Sequence, residues 1–369
     1  MDRTRWEYRN FEACIEKPRK TKQLTTADYN AEGLLPIVSQ EACLISGYTD
    51  DMSFENNFEK PIVIFGDHTR VLKYVDFPFA VGADGVKILV PKDNIMAKFL
   101  MSYLQWYDIP SLGYSRHYKL LKEITLPIPP VSDQQAIVAE LDKLNEVIAL
   151  KRKQLADLDS LAQSLFYEMF GDPVANEKGW TTKDLKEVGK ITTGNTPSKA
   201  VAEYYNNSYI EWIKTDNIEQ DSPIATAAKE FLSEEGCKRG RVVDEGSLLV
   251  ACIAGSVESI GKSCITNRRV AFNQQINAIT PNESTNIVFL YHLVRSMKKV
   301  IQDYATTGMK HILTKSAMEG ITIPLPPLLL QQSFAAKITK IEAEKQRIKS
   351  SLKDLETLLA SRMQYWFDN

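Results

Sequence analysis

The chain has 369 residues, 44% of them apolar and 25% charged, an ordinary globular composition that excludes a disordered chain, a collagen and a disulfide miniprotein. Lys and Arg total 45 and Asp and Glu 47, for a net charge of −2, so no basic coat for nucleic acid exists and any DNA-facing surface has to come from local clusters. At roughly 100–200 residues per domain, the length predicts two or three domains.

Taken in chain order, residues 1–125 carry short β-like runs such as PIVIFGD and DGVKILVP, with a helical stretch near 93–107. They predict a first mixed α/β globule. Residues 124–135 then read ITLPIPPVSDQQ. Prolines remove donors and stop any helix there, and Ser132 or Asp133 is the predicted N-cap. Ile137, Leu141, Leu144, Ile148, Leu155, Leu158, Leu165 and Met169 follow at spacings of three, four and seven, a heptad-like stripe. Gly171 and Pro173 stop it. A helix of about 37 residues, roughly 55 Å long, is predicted across 126–171.

The pattern then repeats. Residues 172–322 predict a second mixed globule, from the runs EGSLLVACIAG and RRVAFNQQINAIT and a helical stretch near 285–302. Residues 321–332 read ITIPLPPLLLQQ, in register with the first copy: Ile124 meets Ile321, Pro127 meets Pro324, Pro130 meets Pro327, Gln134 meets Gln331 and Gln135 meets Gln332. Phe334, Ile338, Ile341, Ile348, Leu352, Leu355, Leu359 and Trp366 predict a second long helix across 323–369. Each long helix needs a partner along its seam, and the other copy supplies one. Lys151 and Lys345 fall at seam positions, where they either fix the register or lie on ordinary surface.

Catalytic signatures are absent. GSVESIGKS at Gly255–Ser263 has one residue too many between its glycines for a phosphate-binding loop and reads as strand–turn–strand. The sequence contains no GxG, no GxSxG, no Asn-Pro-Pro-aromatic run and no Pro-Asp dipeptide. Five cysteines without a CxxC pair predict reduced thiols in a reducing cytoplasm, and four scattered histidines predict no zinc site. No apolar run is long enough to span a membrane. The pattern is that of a recognition module and not of an enzyme.

Two variable globules, each followed by PxPP-x3-QQ and a long helix, make the chain similar to the specificity (S) subunit of type I restriction–modification systems. LPIPPVSDQQAIVAELD at Leu126–Asp142 and IPLPPLLLQQ at Ile323–Gln332 carry the resemblance. PIVSQ, IFGDHTR, DGVKIL and GYSRHYK in the first globule support it, with GNTPS, IKTDNI and FNQQ in the second. The resemblance implies an α+β fold: two mixed α/β target recognition domains separated by two long helices that pair as an antiparallel coiled coil. It implies a non-catalytic chain whose globules each read one half of a bipartite, asymmetric site on double-stranded DNA. The helices are expected to set the spacing and dock two methylation subunits, with restriction subunits in the full complex. S-adenosylmethionine, ATP and magnesium are then expected in those partner subunits and no cofactor in this chain, which would be cytoplasmic and nucleoid-associated. One departure is that the first globule lacks a clear counterpart of WTTKDLKEVGKITTGNTPS at Trp180–Ser198, so its first strand is expected to be trimmed or diverged.

Base readout and phosphate placement need Arg, Lys, Asn, Gln, Ser and Thr on loops. The candidates for DNA contact are Asp67, His68, Thr69 and Arg70, then Ser115, Arg116, His117, Tyr118 and Lys119, in the first globule. In the second they are Thr196, Lys214, Thr215, Asp216, Gln274, Gln275, Lys310 and His311. His117 equally fits a packed loop residue. Further basic clusters are Lys17, Arg19, Lys20 and Lys22; Lys238, Arg239 and Arg241; and Arg268 with Arg269. The candidates for subunit docking are Pro127, Pro130, Gln134, Gln135, Pro324, Pro327, Gln331 and Gln332. The rival reading is a coiled-coil adaptor that binds protein partners and not DNA.

Overall fold

The structure, a computed structural model, describes residues 3–17, 21–219, 222–306, 308 and 310–368. Two compact units emerge: residues 1–153 with 348–369, and residues 154–347. Each contains one globule and half of each long helix.

In the first unit, the strand Ile62–Gly66 lies between Leu72–Val75 and Val86–Leu89. It is buried on both faces. Val63 and Phe65 join the core formed with the helix Ala97–Tyr107, whereas Ile62 and Ile64 face a second cluster with Val75, Phe79 and Val81. Burial on both sides is why this run reads as unbroken apolar sequence. A second sheet runs Gly47–Thr49, Leu35–Val38, Phe79–Val81, Glu55–Asn56, with a parallel central pair that sets Ile37 against Ala80.

The second unit repeats this plan. Leu248–Ala251 lies between Ser263–Ile265 and Ile276–Pro281, and the other sheet runs Phe231–Leu232, Ile210–Ile213, Val270–Phe272, Val242–Val243. Its central pair is again parallel, with Trp212 against Ala271. The stretch at Gly255–Ser263 is a turn between the strands Ile253–Ala254 and Ser263–Ile265, in keeping with the predicted strand–turn–strand.

The long helices are Val131–Phe170 and Leu328–Phe367, 40 residues each. Both start just after their proline pair, so Ser132 and Asp133 sit in the first turn and do not cap it. Pro130 precedes the helix instead, its carbonyl accepting the Asp133 and Gln134 N–H groups. The helices pair antiparallel within each unit. In the first unit Glu140 meets Arg362 and Trp366, and Arg152 meets Glu356 at 2.7 Å. In the second Asp159 meets Lys345 at 2.7 Å, and Phe166 packs on Phe334. Lys345 is indeed buried in the seam, where it also pairs with Glu342 at 2.9 Å. Burial works against its charge, but the two carboxylates outweigh that and hold its pKa above the usual lysine range.

The predicted stripe needs one adjustment. Near its end the first helix buries Ala162, Phe166 and Phe170 more deeply than Leu165 and Met169. A straight helix drifts away from a strict heptad, and here the fourfold spacing faces the phenylalanines of its own domain.

The first strand of the first globule, expected to be trimmed or diverged, is present and diverged in sequence. Glu7–Asn10 pairs antiparallel with Thr125–Ile128, as Thr182–Asp184 pairs with Thr322–Pro324. A one-turn helix follows each, Phe11–Cys14 and Leu185–Val188, and Trp6 stands before the first strand as Trp180 does before the second. WEYRNFEAC and WTTKDLKEV are thus equivalent, although only the tryptophan is shared. Next, Gly189–Thr193 pairs with Ile276–Pro281, and at the corresponding place the described residues of the first unit show a bridge from Ile15 to Pro91.

Candidate nucleic-acid interface

Each domain gathers its loops at the ends of the central strands. In the first, the chain leaves Ile62–Gly66 through Asp67, a buried residue whose backbone carbonyl accepts the His117 N–H at 2.8 Å. The His117 imidazole is fully buried. Its Nε2 accepts the Leu112 N–H at 2.9 Å, which leaves Nδ1–H to donate to the same Asp67 carbonyl at 2.9 Å. One Asp67 carboxylate oxygen accepts the Tyr118 N–H at 2.7 Å, and the other lies 3.6 Å from Lys87. Asp67 and His117 are therefore internal fasteners with no surface to offer DNA.

The neighbouring candidates are brought together around Gln40, which sequence reasoning passed over. Its Oε1 accepts the His68 N–H at 3.1 Å, its carbonyl accepts the Thr69 hydroxyl at 2.6 Å, and its Nε2 donates to the Asp84 carbonyl at 2.9 Å. Arg116 pairs with Asp84 at 3.1 Å. Arg70 takes a left-handed backbone (φ 63°) and donates to the Ile109 carbonyl at 2.7 Å, so it holds the turn. Thr69, Arg116 and Lys119 are exposed, Ser115 is half-buried, and Tyr118 packs edge-on against Phe11.

In the second domain the equivalent rim collects four separate segments. Thr196 bonds Gln274. Asn273 donates its N–H to the Ile213 carbonyl at 3.0 Å, which seats Gln274 and Gln275 beside Lys214. Lys214 pairs with Glu230 and lies over the Trp212 ring at 4.9 Å. The pair lowers the Glu230 pKa despite its partial burial. The Gln275 carbonyl accepts the Cys252 N–H at 2.7 Å, and the next residues, Ile253–Ala254, pair with His311–Ile312. Thr196, Asp216, Gln274 and Lys310 are exposed, and Thr215, Gln275 and His311 are half-buried.

Of the other basic clusters, Arg19 and Lys20 lie outside the described residues. Arg268 is structural: it pairs with Glu211 and donates to the Ala225 and Thr226 carbonyls. Arg239 and Arg241 flank the rim through Asn195, whose side chain bonds the backbone of both.

The docking candidates divide by burial. Gln134 and Gln331 are completely buried. Gln134 Oε1 accepts the Met96 N–H at 2.8 Å, and its Nε2 donates to the Asn94 and Pro129 carbonyls at 2.8 and 2.9 Å. Gln331 does the same with Asn286 at 2.8 Å, Ser284 at 3.2 Å and Pro326 at 2.8 Å. Met96 and Asn286 are the N-cap residues of Ala97–Tyr107 and Ile287–Ser296. These glutamines tie each long helix to its domain helix and are not accessible to a partner. Pro127 and Pro324 are buried too, whereas Pro130, Pro327, Gln135 and Gln332 are exposed.

Among the described residues no group of His, Cys, Asp or Glu could hold a metal ion, and no helix is long and apolar enough to cross a membrane. Two domains with one plan and unlike polar rims are now joined by a decisive match: the model of the type I restriction modification DNA specificity domain fits residues 4–160 and again 177–356. The chain belongs to that family.

Other specificity subunits resemble it, one along most of its length and others over about half of it. The EcoR124I/EcoR124II specificity subunit of Escherichia coli is 24% identical over 94% of this chain and 89% of that protein. The HindI specificity subunit of Haemophilus influenzae is 30% identical over 44% of this chain and 36% of its own length. Among solved structures, the S subunit of the type I restriction–modification system from M. genitalium aligns with a TM-score of 0.62 at 15% identity, covering 99% of this chain and 96% of that one. A chain from a study of type I R-M complex assembly and conformational transition aligns at 0.57 and 15% identity, covering 98% and 97%. At these identities the structures speak for the specificity-subunit fold alone.

Proposed function

We propose that this chain is the DNA-reading, non-catalytic subunit of a type I restriction–modification complex, each domain reading one half of a bipartite asymmetric site. The observation that supports this reading is the combination of one scaffold used twice with two different rims. Strand order, parallel centre and buried glutamine recur in both domains, while the first rim carries Gln40, Thr69 and Arg116 and the second Thr196, Lys214 and Gln274. An asymmetric site with two half-sequences calls for that arrangement, because positioning is shared and base contacts specify. The paired helices set the distance between the half-sites. Their exposed bases, at Pro130, Gln135, Pro327 and Gln332, dock two methylation subunits, and restriction subunits complete the assembly. S-adenosylmethionine, ATP and magnesium belong to those partners, and the assembly works in the cytoplasm, on the nucleoid. Nothing in the rims favours the adaptor that binds only protein.

The test is co-expression with the cognate methylation subunits, followed by genome-wide mapping of methylated adenines. One bipartite motif is expected, and exchanging residues 1–125 for those of a relative should change one half only. Absence of a motif, or a change in both halves, would overturn the reading.

A further inference from the structure

Tyr114 is the most exposed large apolar side chain among the described residues, at 96%. It does not hang from a loose loop. The tip Leu112–Arg116 is closed at its base by His117, which bonds both the Leu112 N–H and the Asp67 carbonyl. Within the tip the Ser115 N–H donates to the Gly113 carbonyl at 2.9 Å, Gly113 takes a left-handed φ of 68°, and Arg116 is held by Asp84. The Tyr114 ring lies on the His68 ring, centroids 5.4 Å apart and planes within 17°. His68 is itself anchored through Gln40, and its Nδ1 is buried with no hydrogen-bond partner. A flat ring is thus presented to solvent on a rigid aromatic backing, beside the exposed Thr69, Arg116 and Lys119.

Such a tip has little use in packing, since the exposed face touches nothing within the domain. It has the form of a stacking platform, in which an aromatic face lies on a base while neighbouring cations hold the backbone. In sequence, the corresponding loop of the second domain, residues 305–312, has no tyrosine, phenylalanine or tryptophan and carries Lys310 and His311 in its place. We propose that Tyr114, backed by His68, stacks on a base at an opened step of the half-site read by the first domain. This rests on the DNA-reading function above and gives that domain a contact its partner domain lacks.

The experiment uses the full chain with its methylation subunits and a duplex carrying the methylation motif that the complex writes. Tyr114→Ala should lower affinity about 5- to 150-fold at fixed salt, the range for one lost base–aromatic contact. Tyr114→Trp should stay within about threefold of the wild type, because only a ring face is needed. The slope of log affinity against log salt should not change, since no phosphate contact is lost. The melting temperature should also be unchanged. With 2-aminopurine placed at successive positions, the wild type should alter fluorescence at one position in the first half-site, and Tyr114→Ala should abolish that change. Wild-type selectivity with an unaltered Tyr114→Ala affinity and fluorescence would overturn this inference and leave the function standing. A smaller salt slope in Tyr114→Ala would also overturn it. No sequence-selective binding by the wild type would overturn both.

Discussion

Asp67 and Cys252 occupy the same place in the two domains. Each is the first residue past the central strand, and each donates its N–H to the neighbouring strand's end, Asp67 to Gly85 and Cys252 to Gln275, both at 2.7 Å. Each then accepts an N–H at 2.8 Å from the last loop of its domain, from His117 in one and Leu313 in the other. Around this shared bond the chemistry diverges. The first domain fixes its loop with a buried carboxylate and a buried imidazole. The second uses an apolar pair, with burial pushing the Cys252 thiol up to about 12, and adds the strand pairing of Ile253–Ala254 with His311–Ile312. One topological task has two solutions, so the residues beside a reading loop differ without the scaffold changing.

The strongest test of that equivalence lies at the bases of the long helices. Phe367 packs on Phe99 at 5.7 Å and Phe170 on Phe289 at 4.9 Å, in matching edge-on geometry. Phe99→Ala and Phe289→Ala should each cost about 4 kcal/mol in denaturant unfolding. Unequal losses would show that the two bases do not carry equal weight.

Next in size, His117→Leu should lower the stability of the first domain by about 3 kcal/mol. It takes away the acceptor of the Leu112 N–H, removes a donor from the buried Asp67 carbonyl and replaces a fully buried, hydrogen-bonded ring. Leucine at the corresponding Leu313 is the native choice, so a neutral result would mean that the polar fastener is replaceable by packing alone.

Acid should separate the domains by up to about 3 kcal/mol. His292, first through burial and then through Arg295 and Lys345, is pushed down to about 4. It is therefore neutral in the folded chain, whereas an unfolded histidine takes its proton near 6.5. The folded state binds fewer protons, so stability is lost as pH falls from about 6.5 towards 4 and then levels off. Counted from the N-cap, the same place on Ala97–Tyr107 is Ser102, which does not titrate. The second domain should loosen first, and His292→Ser should remove this window from the pH dependence of the unfolding midpoint.

The smallest effect on stability belongs to Gln135→Ala with Gln332→Ala. Both side chains are exposed, so the unfolding midpoint should move by less than about 0.5 kcal/mol. Capture of the methylation subunits in a pull-down should nevertheless weaken. Gln134→Ala, one residue earlier, should do the reverse, costing about 3 kcal/mol through its buried hydrogen bonds. If assembly is unchanged in the exposed pair, the helix bases are not the docking surface.

The two long helices were legible because a period of three and four, bounded by prolines and glycine, is a local property repeated in register. The strand Ile62–Gly66 was legible for a similar reason, as burial on both faces leaves an unbroken apolar run. The strand Glu7–Asn10 was not. Its pairing with Thr125–Ile128 is made by backbone groups, and those leave only Trp6 in common with the second copy. His117 and Arg116 are adjacent and alike in type, yet one is fully buried and the other exposed. No local pattern separates them, because the difference is made by Asp67, fifty residues earlier in the chain. Gln134 and Gln135 divide in the same way. The sequence by itself determined the duplication, the helix pair and the kinds of side chain on each loop, since these follow from periodicity and composition. Only the tertiary structure decided which loop residues fasten the rim and which face outwards, because burial and hydrogen-bond partners are set by segments that meet in space.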